Sequence, residues 1–96
     1  MDFESWLYHK WLVEDMKYAF RGSKRAYRNM REYDRALRGE RNAVIINEDL
    51  IRIIVDEGYM VEIQRYGNDV DIVEYAWVDD ECVGIEDVEL KDVVWG

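Results

Sequence analysis

The sequence predicts an α+β domain in which an N-terminal helical hairpin and a third short helix precede a C-terminal antiparallel β-meander. Two observations carry this reading. Apolar residues recur at helical spacing up to about residue 57, in stretches punctuated by Gly22, Gly39 and Gly58. From Tyr59 the period changes to two, and Gly67-Asn68-Asp69 and Asp79-Asp80-Glu81 supply turns between the alternating runs.

The first helix is placed at residues 3–21, with Asp2 as its cap, Glu4 in its first turn and Gly22 as a left-handed terminator. At 100° per residue it carries two apolar faces. Trp6, Leu12, Val13, Met16, Ala19 and Phe20 form a broad one, and Phe3, Leu7, Trp11 and Tyr18 form a stripe on the far side. Such a helix either lies between the second helix and the sheet, or presents the Trp11 stripe as a partner or dimer surface.

Ser23 caps a second helix at 24–38, joined to the first by a tight turn. Ala26, Met30, Tyr33 and Leu37 stack on one face, and Lys24, Arg28, Arg31, Arg35 and Arg38 repeat the same rhythm on the opposite one. Glu32 and Asp34 neutralise that cationic stripe only in part.

Asn42 to Ile46 reads as a short strand or an extended apolar lead-in. Asn47-Glu48-Asp49 then reads as a capped helix start, with Leu50, Ile51, Ile54 and Val55 as the apolar face of a third helix over 47–57 and Gly58 as its end. The β-branched Ile53, Ile54 and Val55 would also suit a strand. Beyond it Tyr59, Val61 and Ile63 alternate with Met60, Glu62 and Gln64; Val70, Ile72, Ala76 and Val78 alternate with Asp71, Val73, Tyr75 and Trp77; and Cys82 to Ile85 begins a third strand. The apolar tail, Val88 to Trp95, is expected to add a last short strand or to pack over the core.

Ninety-six residues, 49% hydrophobic and 36% charged, suit one globular domain over 1–96, and the absence of proline and of Ser/Gly-rich stretches leaves no linker. No apolar run approaches the ~20 residues of a membrane span, and Met1-Asp2-Phe3-Glu4 lacks the basic start of a signal peptide, so a cytosolic protein is expected. The single cysteine agrees with a reducing compartment.

The charge is segregated along the chain. Residues 1–20 sum to −2, residues 21–41 to +5 with eight basic side chains, and residues 42–96 to −12 with fifteen carboxylates, which together give the net −9. The one histidine, His9, and the one cysteine, Cys82, have no motif around them. There is no zinc ligand set, phosphate loop, dinucleotide fingerprint or nucleophile elbow, so the chain is expected to be non-enzymatic, with no cofactor. Asp69 with Asp71, and Asp79-Asp80-Glu81, offer oxygen ligands but lack the glycine and distal glutamate of a calcium loop, and they read as solvated turns.

A dense carboxylate array can attract a basic cleft at near-diffusional rates and can occupy a channel built for nucleic acid. In length, acidity, aromatic content and helices-then-meander layout, the whole chain resembles the small acidic inhibitors carried by phages and mobile elements, the anti-CRISPR proteins in particular. The resemblance is one of type and carries no family motif, so it assigns no residues. It implies binding to a CRISPR effector such as Cas9 and blocking its use of DNA; the basic second helix departs from a pure DNA mimic and would instead touch guide RNA or an acidic protein face.

The expected partner is therefore a protein with a basic surface, engaged through Asp69, Asp71, Asp79, Asp80 and Glu81, with Arg28, Arg31, Arg35 and Trp11 as further contacts. An immunity or antitoxin-like protein and a structural interaction subunit are the alternatives, and a nucleic-acid binder working through the second helix is a further one. Net −9 argues against binding free nucleic acid; no membrane is expected, and the chain is expected to be a monomer or a homodimer.

Overall fold

The computed structural model describes residues 1–84. Helix α1 (Phe3–Arg21) and helix α2 (Lys24–Leu37) form the hairpin, followed by β1 (Ala43–Ile46), β2 (Leu50–Asp56), β3 (Tyr59–Tyr66), β4 (Asp69–Val78) and β5 (Glu81–Gly84). The five strands make one antiparallel sheet in the order β1-β2-β3-β4-β5. Ile85 and the tail over 88–95 lie outside the described residues.

The helix ends follow the capping chemistry. Asp2 accepts a 2.7 Å hydrogen bond from the Ser5 N–H, Ser23 accepts one of 3.1 Å from Ala26, and Gly22 takes the left-handed conformation at φ 62° that closes α1.

The third helix expected over 47–57 does not form: this stretch is β2, paired with β1 on one side and β3 on the other. Its capping signals serve hairpins instead. Asn47 donates its N–H to the Leu50 carbonyl across the β1–β2 turn, and Gly58, at φ 76°, turns β2 into β3. With pairing available on both flanks, the stiff χ1 of Ile51, Ile53, Ile54 and Val55 favours the pleated state over the helix.

The core lies between the helices and one face of the sheet. Leu7, Tyr33, Ala36, Ala43, Ile45, Ile54 and Met60 are buried, with Phe3, Trp6, Trp11, Leu37, Tyr75 and Trp77 packed against them. The aromatic cluster pins α1 to β4, with Trp77 5.1 Å from both the Phe3 and the Trp6 ring centroids.

Register decides which alternate residues face this core. Ala43, Ile54, Met60 and Tyr75 form one inward row, and Ile45, Arg52, Glu62 and Val73 the next. In β3 the inward set is therefore the one carrying Glu62 and Gln64, while Tyr59, Val61 and Ile63 face outward. The outer face bears Ile46, Ile51, Ile63 and Ile72 directly opposite one another across four strands, with Val44, Ile53 and Val61 in the adjacent row.

The apolar faces of the helices are rotated from expectation. The stripe that packs inward on α1 begins with Phe3, Leu7 and Trp11, whereas Met16 and Phe20 of the broad face are exposed, Phe20 at 82%. On α2 the buried set is Ala26, Asn29, Tyr33 and Ala36, with Met30 and Leu37 half-buried. Asn29 lies on this buried face, bonded to the edge of the sheet at Ile46.

Candidate functional site

Strand β1 is an edge strand, and α2 lies beside it. The Asn29 side chain clasps Ile46, its Nδ2 donating to the Ile46 carbonyl at 2.9 Å and its Oδ1 accepting the Ile46 N–H at 3.0 Å. One turn further on, Glu32 Oε1 accepts the Val44 N–H at 3.0 Å. Two side chains thus stand in for a neighbouring strand and satisfy groups that would otherwise recruit one.

This apposition creates a groove of ≈ 730 Å³. One wall is the cationic face of α2, with Lys24, Arg25, Arg28, Arg31, Arg35 and Arg38; the other includes the half-exposed Val44 and Ile46. The cations divide into two groups. Arg35 is held by Glu32 at 3.0 Å and Glu40 at 3.7 Å, and Arg38 by Asp34 at 2.7 Å. The Arg35 pKa is raised, first by its hydrogen bond to Glu32. Among the described residues no carboxylate pairs with Lys24, Arg25, Arg28 or Arg31; Arg31 lies 6.0 Å over the Tyr27 ring.

The expected carboxylate sites are placed far from this groove. From Tyr66 to Gly84 the chain has six carboxylates and no basic side chain. Asp69 and Asp71 sit at one end of β4 and Asp79, Asp80 and Glu81 at the other, with Glu74 between. The ten residues of β4 separate the two clusters by about 30 Å, so they do not converge on one point.

Asp79 and Asp80 both take positive φ, 51° and 64°, as a tight hairpin turn requires and as aspartate tolerates. The amino terminus donates to the Asp80 carbonyl at 3.1 Å, and Trp77 Nε1 donates to the Met1 carbonyl at 3.1 Å. Among the described residues none of these six carboxylates is in a side-chain ion pair. The sheet order puts this acidic stretch three to four strand spacings, about 14–19 Å, from β1. The molecule is thus electrically polar, basic at one edge and acidic at the other.

Trp11 sits apart from both edges. It is half-buried against the core and stacks on Tyr8 at 6.1 Å, so the expected partner stripe is substantially used in folding.

Between the edges lies a buried polar network that the alternation of β3 concealed. Arg52 Nε donates to Glu62 Oε2 at 2.7 Å and Arg52 Nη1 to the Tyr33 hydroxyl at 2.7 Å, while Gln64 Nε2 donates to Glu62 Oε1 at 2.9 Å. Trp6 lies 5.0 Å from the Arg52 guanidinium. Burial works against the Arg52 charge, but Tyr33 and Glu62 more than offset it and its pKa is raised. Burial pushes the Tyr33 hydroxyl up and the nearby Lys10 down, the latter assisted by Arg52. This network can hold the helices on the sheet; it has the form of a structural ion pair.

Asn29 and Glu32, which build the groove, went unrecognised at sequence level. A signal existed for Asn29, a polar residue at helical spacing between Ala26 and Tyr33. His9 is exposed on α1, and the Cys82 thiol in β5 has its pKa raised by burial, the opposite of activation.

No protein-family model, curated protein or solved structure matches the chain. Among the described residues no three His, Cys, Asp or Glu side chains approach closely enough to hold a metal ion, and no helix is long and apolar enough to cross a membrane.

Proposed function

We propose that this is a small non-enzymatic binding protein, an inhibitor of the phage or mobile-element kind typified by anti-CRISPR proteins. Its acidic edge enters the basic, nucleic-acid-binding cleft of a CRISPR effector such as Cas9 and blocks the use of DNA. The observation that carries the reading is the stretch from Tyr66 to Gly84, whose six carboxylates have no basic side chain among them and no side-chain ion pair among the described residues. Asp69 and Asp71 share one face of β4 about 7 Å apart, and Asp79-Asp80-Glu81 project from a hairpin tip. Carboxylates left unpaired raise the potential that steers a basic partner toward this edge.

Charge density sets the limits of the mimicry. Six charges over about 30 Å are one per ~5 Å, sparser than the ~1.7 Å of duplex DNA and nearer the ~3.4 Å of one strand. Steering and orientation therefore come from the carboxylates, and affinity needs further contacts around them.

The test is DNA cleavage by purified Cas9 loaded with guide RNA, in the presence of rising amounts of the protein. Wild type should suppress cleavage, and the triple variant Asp79→Asn, Asp80→Asn, Glu81→Gln should suppress it less. Complete cleavage at saturating protein would remove the anti-CRISPR reading.

The groove favours a second reading, in which α2 holds an anionic partner through Lys24, Arg25, Arg28 and Arg31. Four open cations release about four counterions, too few for appreciable binding to free nucleic acid at physiological salt. Titration of random duplex DNA and RNA at two salt concentrations decides this: tight, salt-sensitive binding would make the nucleic-acid reading the leading one.

A further inference from the structure

The outer face of the sheet is an apolar surface that the described residues leave uncovered, and it adjoins both charged edges: Val44 and Ile46 also line the basic groove, and Glu74 and Glu81 belong to the acidic stretch. The row Ile46, Ile51, Ile63, Ile72 crosses four strands, flanked by Val44, Ile53, Val61 and Val70. Ile72 is 70% exposed, Val70 60% and Ile46 50%. We propose that this face seats a second copy of the chain, so that two molecules pack sheet against sheet about a two-fold axis.

Area is the first argument. From these exposures the face presents on the order of 500 Å² of apolar surface, in the upper part of the ~300–600 Å² range of the largest patch on a typical monomer and the greater part of the ~800 Å² per partner of a standard interface. Burying it offsets the cost of association; leaving it in water would invite aggregation.

The second argument is self-complementarity. A two-fold interface brings one patch against itself, so every charge near its centre meets a like charge. The isoleucine row carries none. The rows beside it carry Glu74, opposite Val61, and Arg65, opposite Val70, while Glu81 sits at the margin; Glu74 lies against Tyr59, whose pKa burial and then this carboxylate push up. Two such surfaces interdigitate as sheets do, about 10 Å apart and about 30° from parallel.

Net charge is the opposing term, since each copy carries −9. The carboxylates of Asp69, Asp71, Asp79, Asp80 and Glu81 project at hairpin ends, and beyond about 8 Å physiological salt screens them. Dimerisation is therefore expected to strengthen with salt, the reverse of what the acidic edge does with a basic partner. The helices stay on the outside of the resulting four-layer sandwich, and Asp69, Asp71, Asp79 and Asp80 remain on its perimeter; the mass of the protein alone tests the dimer without reference to any effector.

Sedimentation equilibrium of the full chain over micromolar to hundreds of micromolar concentrations tests it. The expected mass is twice 11.6 kDa at the upper end of the range. Ile51→Lys with Ile72→Lys should return it to 11.6 kDa with an unchanged far-UV spectrum, because both side chains point out of the fold. If the lysines unfold the chain, Ile72→Ala alone should raise the dimer dissociation constant about tenfold or more. A wild type that stays monomeric throughout overturns the proposal, as does a dimer indifferent to these substitutions.

Discussion

The two edges of the molecule carry opposite charge and use it differently. At the basic edge charge is partly committed to architecture: Glu32 holds both the Val44 N–H and Arg35, and Asp34 holds Arg38. At the acidic edge, among the described residues, no carboxylate from Asp69 to Glu81 has an ion-pair partner within the fold. Removing a side chain from the first should therefore cost stability; removing charge from the second should cost almost none. The difference separates charge that builds the fold from charge available to a partner.

The largest expected effect marks the upper limit of that scale and lies between the edges. Arg52→Met leaves Glu62 buried and short of its cation, and should destabilise by about 3–5 kcal/mol in a urea titration. Replacing both residues by apolar ones of similar volume should recover most of the loss. Trp11→Ala should cost roughly 2–4 kcal/mol, because the ring is half-buried against the core; a variant of unchanged stability would show that the ring does not hold the fold and favour its use by a partner.

Asn29→Ala comes next, at about 1–3 kcal/mol, since it orphans the N–H and the carbonyl of Ile46 at the sheet edge. Loss of protection at Ile46 in hydrogen exchange would locate the damage, and intact protection there would mean that the clasp does not hold the edge. The smallest effect belongs to the acidic edge: Asp79→Asn, Asp80→Asn, Glu81→Gln should leave stability within ~0.5 kcal/mol, as asparagine also accepts the left-handed turn. A large loss would show that the turn carboxylates are structural.

A pH titration sharpens the account of the buried network. The Tyr33 pKa is raised, so the folded state holds this proton more tightly than the unfolded chain does. The corresponding stability is fully present below about pH 10, the ordinary tyrosine value, and is lost as pH rises through the folded-state pKa. Tyr33→Phe should remove that alkaline loss while lowering stability at neutral pH, where Arg52 gives up an acceptor.

Both helices of the hairpin were legible in the sequence because Asp2, Ser23 and Gly22 act locally, each through a bond or dihedral within a few residues. The third helix was misread for a related reason. Asn47 and Gly58 are chemically as apt for hairpin turns as for helix ends, and only pairing with β1 and β3, which is non-local, decides between them. The same non-locality hid the groove, since Asn29 and Val44 are brought together by the fold alone. Glu62 was concealed by its alternation with Val61 and Ile63, which reads equally well whichever set faces the helices.

The central claim is that the acidic edge meets a basic partner. It is tested most directly by the association rate with guide-loaded Cas9 at two salt concentrations, for the wild type and for the triple variant Asp79→Asn, Asp80→Asn, Glu81→Gln. The wild type should associate quickly at low salt and several-fold more slowly at high salt, and the variant should be slower at low salt with a flatter dependence. Association of the variant at the wild-type rate, with the wild-type salt dependence, would contradict the claim.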